Sequence, residues 1–129
     1  VTFVAWQVGH LAVGQYRLAL LVLRDPLPSD EQWISASFID HFRPGSVPDP
    51  AVQSDLSAQE IRDVFERVHE QTLAELNKLS IDRINDPVSP EHPMFSTLGG
   101  AIRWSTHHEY THAGQLSLLR RLLGYPPLW

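Results

Sequence analysis

Eight residues near the end of the chain, Leu98, Ala101, Ser105, His108, His112, Gln115, Leu119 and Leu122, recur at steps of three and four. That spacing is the packed seam of a long α-helix. The seam is apolar at its ends, and its middle reads Ser, His, His, Gln. Burying polar side chains in a row is costly unless each has a partner. The chain is therefore expected to build a helical protein with a polar interior, satisfied by a bound cation or by a tight hydrogen-bond network. This helix is expected over about Phe95 to Leu123, stopped by Gly124 and the prolines of Gly124-Tyr-Pro-Pro127.

The rest of the chain reads the same way. Val4, Val8, Leu11, Leu18 and Val22 give a first helix over Val1 to Leu23. Pro26 and Pro28 break it, and Ser29 or Asp30 is placed to cap a short helix over about Glu31 to Phe42. Arg43 to Ser57 is rich in proline and poor in apolar residues, so it reads as a loop. Ser57-Ala-Gln-Glu60 is a capping box for a helix to about Leu79, with Ile61, Val64, Phe65, Val68, Thr72, Leu76 and Leu79 on one face. Asp82 to Pro93 reads as a second loop. No stretch shows the period-two alternation of a strand. The expected class is all-α, a four-helix bundle, with residues 1–129 as a single domain.

Composition excludes several function classes. The chain has no cysteine, so disulfides, thiolate catalysis and cysteine-bound zinc are out; this also suits a reducing compartment such as the cytoplasm. Net charge is −5 and the basic residues are scattered, which argues against a nucleic-acid partner. The longest apolar run, Leu18 to Leu23, is far too short to span a membrane. The start, VTFVAWQVGH, has neither a signal-peptide pattern nor an initiator Met. The chain is read as part of a slightly longer natural protein.

The segment His107-His-Glu-Tyr-Thr-His-Ala-Gly-Gln115 carries the chemistry. His108 and His112 lie four apart, on one helix face and separated by roughly 6 Å of rise. Two imidazoles at that spacing can share a metal ion, though such pairs are also common as surface or core residues. A third ligand must come from another helix, and His10, one turn after Trp6, is the best candidate. His10 shares a stripe with Trp6, Val13, Arg17 and Leu20. Gln115 is a candidate to hydrogen-bond a ligand imidazole. Trp6 reads as core packing, with a place on the pocket wall as the alternative. His107, His69 and His92 read as solvated; His41 is a candidate for a pocket mouth. His108-Glu109-Tyr-Thr-His112 also spells the HExxH of zinc proteases. That reading lacks a downstream ligand, since no His, Asp or Glu follows His112. Glu109 is expected to orient a ligand imidazole or to be solvated at the edge of the seam.

Taken together, Trp6-Gln-Val-Gly-His-Leu11, then His108-x-x-x-His112-x-Gly-Gln115, then Leu119-Arg-Arg-Leu-Leu-Gly-Tyr-Pro-Pro127 resemble the DinB/YfiT-like superfamily over residues 1 to 127. The resemblance implies a four-helix bundle with a divalent metal, zinc or nickel, bound by His10, His108 and His112. Many members carry Arg after the last ligand, where this chain has Ala113, so a role for that Arg is not carried over. Members also have a helix before the one bearing the first histidine. An upstream segment, rather than the short helix at 31–42, is expected to supply it.

The resemblance further implies a metal-dependent enzyme acting on a small-molecule substrate. It points to an S-transferase that takes its thiol from a low-molecular-weight cosubstrate, or to a hydrolase. No catalytic base stands out. The alternatives are a non-catalytic metal-binding stress-response protein and a purely structural bundle with hydrogen-bonded core histidines. Homodimerisation through the apolar tail Leu123 to Trp129 is a further expectation, set against packing of that tail on its own bundle.

Overall fold

The computed structural model describes residues 3–49 and 56–127. Helix α1 (Val4–Gln15) runs without a break through a π-helical turn, Tyr16–Leu20, into a last turn, α2 (Leu21–Leu23). A 3-10 turn (Pro28–Gln32), α3 (Ala36–Phe42) and α4 (Ala58–Leu76) follow. A second 3-10 turn (Ile81–Asn85) leads into a hairpin of β1 (Pro87–His92) and β2 (Phe95–Thr97), and then α5 (Leu98–Leu122). The fold is mostly helical. The expected residues 1 and 2 of the first helix, and residues 50–55 of the long loop, lie outside the described residues.

Helix α1 is the centre of the molecule. Every residue from Gly9 to Tyr16 is buried, and Trp6 and Gln7 as well. Helices α3 and α4 pack one side of it, through Val13, Tyr16 and Leu20 against Ile34, Phe38, Phe42, Ile61 and Val68. Helix α5 runs antiparallel along another side. Gln7 meets Gln115, His10 meets His108, Gln15 meets Glu109, and Leu18 and Val22 pack with Leu98 and Ala101. A helix covered on all sides cannot leave Gln7, His10 and Gln15 to water, so each must find a partner inside the protein.

Two glycines let those partners come close. A Cβ on Gly9 would lie 2.5 Å from the Phe42 ring, and one on Gly14 would lie 2.6 Å from Cε1 of His108. The α1 backbone thus forms the floor on which both rings rest.

The π turn resolves a conflict in the sequence. Val13, Arg17 and Leu20 would share one face of a regular α-helix, placing a guanidinium in the core. Val13 and Leu20 are fully buried, yet Arg17 is exposed. The wider turn over Tyr16–Leu20 separates Arg17 from Leu20 and swings it outward.

Three sequence expectations need correction. The short helix splits in two: Pro28–Gln32 is a 3-10 turn, and α3 is capped by Ser35, whose hydroxyl accepts the Phe38 N–H. Asp30 is a structural anchor of that region. Its buried carboxylate accepts both Arg24 Nη atoms (2.8 and 2.9 Å), the Tyr16 hydroxyl (3.1 Å) and the Leu27 N–H (3.1 Å). The second loop contains a hairpin, which delays α5 to Leu98 under a Thr97 cap. That strand has no alternation to read because β1 carries Pro87 and Pro90 and buries only Val88. The capping box at Ser57 and Glu60 is present as expected.

The long seam of α5 is buried only in its first half. Leu98, Ala101 and Ser105 are covered, His108 and His112 are half-buried, and Gln115 and Leu122 are exposed. Past the reach of α1, no described element covers the helix. Tyr125 folds back under the Arg120 guanidinium, 5.2 Å from the ring centroid, and Arg120 Nε donates to the Pro126 carbonyl. Residues 128 and 129 of the apolar tail lie outside the described residues.

Candidate metal centre

The structure brings His10, His108 and His112 together: one ligand atom from each lies within 4.8 Å of the other two. His10 comes from the buried centre of α1, and the pair comes from one face of α5. Their rings stand 4.5 to 5.2 Å apart, centroid to centroid. His10 Nε2 and His108 Nε2 are 3.3 Å apart. Two nitrogens each 2.0–2.1 Å from a tetrahedral zinc ion stand about 3.3–3.4 Å apart, so this separation fits a shared cation. Without a cation, it fits a hydrogen bond between the two rings.

The Nδ1 atoms of His10 and His112 are tied down. His10 Nδ1 lies 2.7 Å from the Phe42 carbonyl at the end of α3. A carbonyl oxygen only accepts, so Nδ1 carries the proton and Nε2 presents its lone pair to the centre. His112 Nδ1 donates in the same way to Oε1 of Gln7. Gln7 is 1% exposed and in turn donates from Nε2 to Oε1 of Gln115 at 2.7 Å. Orientation of ligand imidazoles by such outer partners is the usual construction of a metal site. Trp6 stacks on His10 at 4.6 Å with rings 11° from parallel, and its indole N–H donates to Ser46 Oγ. It is at once core and wall.

Burial holds all three imidazoles neutral. The pKa of His108 is pushed down to about 4, by desolvation first and then by His112 and His10. Desolvation also lowers His10, against the bond to Phe42, and lowers His112 together with its neighbour His10. Neutral imidazole is the form that binds metal. The same shifts make the metal-free protein acid-sensitive. An unfolded histidine titrates near 6.5, so below that pH the unfolded chain holds protons that folded His108 refuses, and stability falls with pH. The chelated protein is expected to lose melting temperature progressively from pH 6.5 down to about 4, where folded His108 titrates, and to show no loss from this source above 6.5. A thermal scan across pH in EDTA measures this; a melting temperature flat over that window would show the burial to be unimportant.

Sequence reasoning placed the triad but not its supports. Gln7 was missed, although a glutamine one turn before His10 on a buried helix is a readable signal. Gln115 reaches the site through Gln7 instead of touching an imidazole. Glu109 does not orient a ligand: it accepts from Nε2 of Gln15 at 2.8 Å, and the same amide nitrogen lies 3.3 Å from His69 Nδ1. His107 is exposed, as expected, and stands edge-on to Trp104. His92 is not simply solvated; it stacks on Phe95 at 4.2 Å. His41 lines a separate cavity of about 750 Å³ between α3 and α4.

A comparison with protein-family models matches residues 3–116 to the DinB superfamily. This chain belongs to the DinB superfamily. The match runs from the start of α1 to just past the histidine pair, so it takes in the whole three-histidine cluster of this DinB protein and leaves the Leu119–Pro127 tail outside. Comparisons with curated proteins and with solved structures returned no match. In this DinB protein Ala113 is half-buried and lacks the charge that Arg supplies in many members. Among the described residues, no helix is long and apolar enough to cross a membrane.

The supports predict their own effect. Replacing Gln7 by Leu keeps the volume but frees His112 to turn and strands its Nδ1–H. Zinc affinity is expected to fall about 10–100-fold, with helicity unchanged by circular dichroism. Unchanged affinity in a chelator competition would remove Gln7 from the site.

Proposed function

We propose that this protein is a divalent-metal-dependent enzyme in which His10, His108 and His112 hold one zinc or nickel ion. The reading rests on one observation: three neutral imidazoles from two helices converge, two of them with a lone pair fixed toward the centre by a carbonyl partner. Three protein ligands leave a coordination position open, the arrangement of reactive rather than structural sites. A bound ion there lowers the pKa of a coordinated thiol or water, or polarises a carbonyl.

The chain's own residues set the geometry. Phe42 and Gln7, itself held by Gln115, orient the ligands, and Trp6 stacks on His10. Without cysteine the chain offers no thiol, so a thiol-transfer reaction takes its nucleophile from a low-molecular-weight cosubstrate. Hydrolysis is the other reaction class the open position supports. Glu109 is engaged by Gln15, which argues against a protease-type base beside the metal. A cytoplasmic location belongs to the same reading, since the absence of cysteine suits a reducing compartment. The exposed apolar end of α5, with Leu118, Leu122 and Leu123, is the face for a homodimer.

The test is metal content by mass spectrometry on tag-free protein, wild type beside His10→Ala and His112→Ala, followed by thiol-transfer and hydrolase assays on the loaded wild type. About one ion per chain, absent from both variants, is expected. Ion lost only from His112→Ala removes His10 from the site. A reconstituted wild type that holds no metal overturns the proposal. Full metal occupancy without any turnover supports a non-catalytic metal-binding stress protein instead.

A further inference from the structure

Beyond the end of α1 remote from the His10, His108 and His112 cluster, the π turn, α2 and the hairpin, His92 included, line a cleft of about 630 Å³. That volume lies within the range of small-molecule sites. Its apolar lining is well formed: Val88, Phe95 and Leu98 are buried there, and Leu21 and Val22 complete it from the helix side. Three guanidiniums line the same space, and two are already committed. Arg24 is paired with Asp30, and Arg83 donates to Asp86 at 2.9 Å. Arg17 has no hydrogen-bond or ion-pair partner among the described residues.

Arg17 is also the residue that the π turn moves off the core face and into this cleft. Single π turns inside helices occur frequently at functional sites, and here the turn delivers an uncommitted cation to a cavity with an apolar floor. Asp25, just past α2, and Glu91, on β1, also line the cleft, and their carboxylates are likewise without partners among the described residues. The cleft thus brings together one free cation, two free anions and an apolar surface. A dianion such as a phosphate ester would gain from Arg17 but be repelled by both carboxylates. A simple amine would leave Arg17 unused. A ligand with both charges on an apolar body satisfies all three features.

We propose that this cleft is a second binding site, taking a small apolar zwitterion of the amino-acid or short-peptide class, with its carboxylate on Arg17 and its ammonium on Glu91 and Asp25. The site is separate from the histidine centre and does not depend on the metal reading.

The test uses the whole ¹⁵N-labelled chain titrated with leucyl-leucine and leucine, beside isocaproate and isoamylamine, which keep the leucine body but carry only one of its charges. Leucyl-leucine is expected to shift the Val88, Phe95 and Leu98 amides saturably, with each single-charge probe weaker by about tenfold or more, as the loss of a charged hydrogen bond implies. Arg17→Gln is expected to weaken the dipeptide by a similar factor. This variant removes an exposed, unpartnered side chain, so the fold and metal content should not change, and both are checked on the same sample. The double variant Asp25→Asn, Glu91→Gln is expected to tighten isocaproate binding, by removing the repulsion, and to weaken the dipeptide, so that the preference for the zwitterion is lost. No saturable shift with leucyl-leucine or leucine, unchanged affinity in Arg17→Gln, or isocaproate binding as tightly as the dipeptide would each overturn the proposal.

Discussion

Replacing Gly14 by Ala is expected to abolish metal binding while the helices stay folded. The new methyl would sit 2.6 Å from Cε1 and 2.9 Å from Nδ1 of His108, well inside contact distance. The obstacle is a side chain on a helix that is covered only on one side at that level, so His108 rotates away before α1 moves. Alanine is also the better helix former, by up to about 1 kcal/mol, which offsets part of the clash in α1 itself. Displacing a ligand should cost more than displacing its hydrogen-bond partner, so the loss should exceed about 100-fold in zinc affinity. The far-ultraviolet spectrum should match wild type. A Gly14→Ala protein that retains its ion at wild-type affinity would mean that His108 is not a ligand, because this substitution leaves His10 and His112 in place.

The second large effect is on stability. Arg24 and Asp30 form an ion pair whose side chains are 12% and 5% exposed, so both charges are largely out of water. Asp30→Ala removes one partner and leaves Arg24, the Tyr16 hydroxyl and the Leu27 N–H without their acceptor. Breaking a buried pair from one side costs about 3–5 kcal/mol, or roughly 10–20 °C of melting temperature for a domain of this size. A loss below about 1 kcal/mol in urea denaturation would place the pair with ordinary surface bridges, such as the exposed Arg67–Glu70 contact of α4. The pair also sets a lower acid limit. Burial opposes ionisation of Asp30, but the bonds from Arg24, Leu27 and Tyr16 outweigh it and hold the pKa below its ordinary value. That stabilisation is present above the unfolded carboxylate pKa and is lost as pH falls through the lower folded value. Wild type should therefore show an acid loss from Asp30 below the histidine window, and Asp30→Ala should lack it.

The histidine pair of α5 was legible in the sequence because its signals are local. The polar break in an apolar seam marks the stretch of α5 that meets α1, although Gln115 at its end is exposed, and four-residue spacing puts His108 and His112 on one face. The capping box at Ser57, the helical class and the glycine stop at Gly124 were legible for the same reason: each depends on neighbours within a turn, and Gly124 does adopt φ +85°. The family resemblance then linked His10 to the pair across nearly a hundred residues, a link that periodicity alone cannot make.

Tertiary structure decided what depends on side chains far apart in sequence. Gln7 looks like any helix glutamine until the middle of α1 is buried and its amide meets His112 and Gln115. Glu109 resembles a protease base until Gln15 claims it. Arg17 shares a face with Val13 and Leu20 by count, and only the π turn, favoured because a buried unpaired guanidinium is so costly, takes it off that face. The hairpin at Pro87–Thr97 has no alternation to announce it, since its strands pair only with each other and bury little beyond Val88 and Phe95. The sequence by itself determined the helices and the histidine pair of α5, because both follow from spacing along one helix. The direction of each imidazole, the partner of each buried amide and the cleft at the far end of α1 were decided by packing, which no single helix carries.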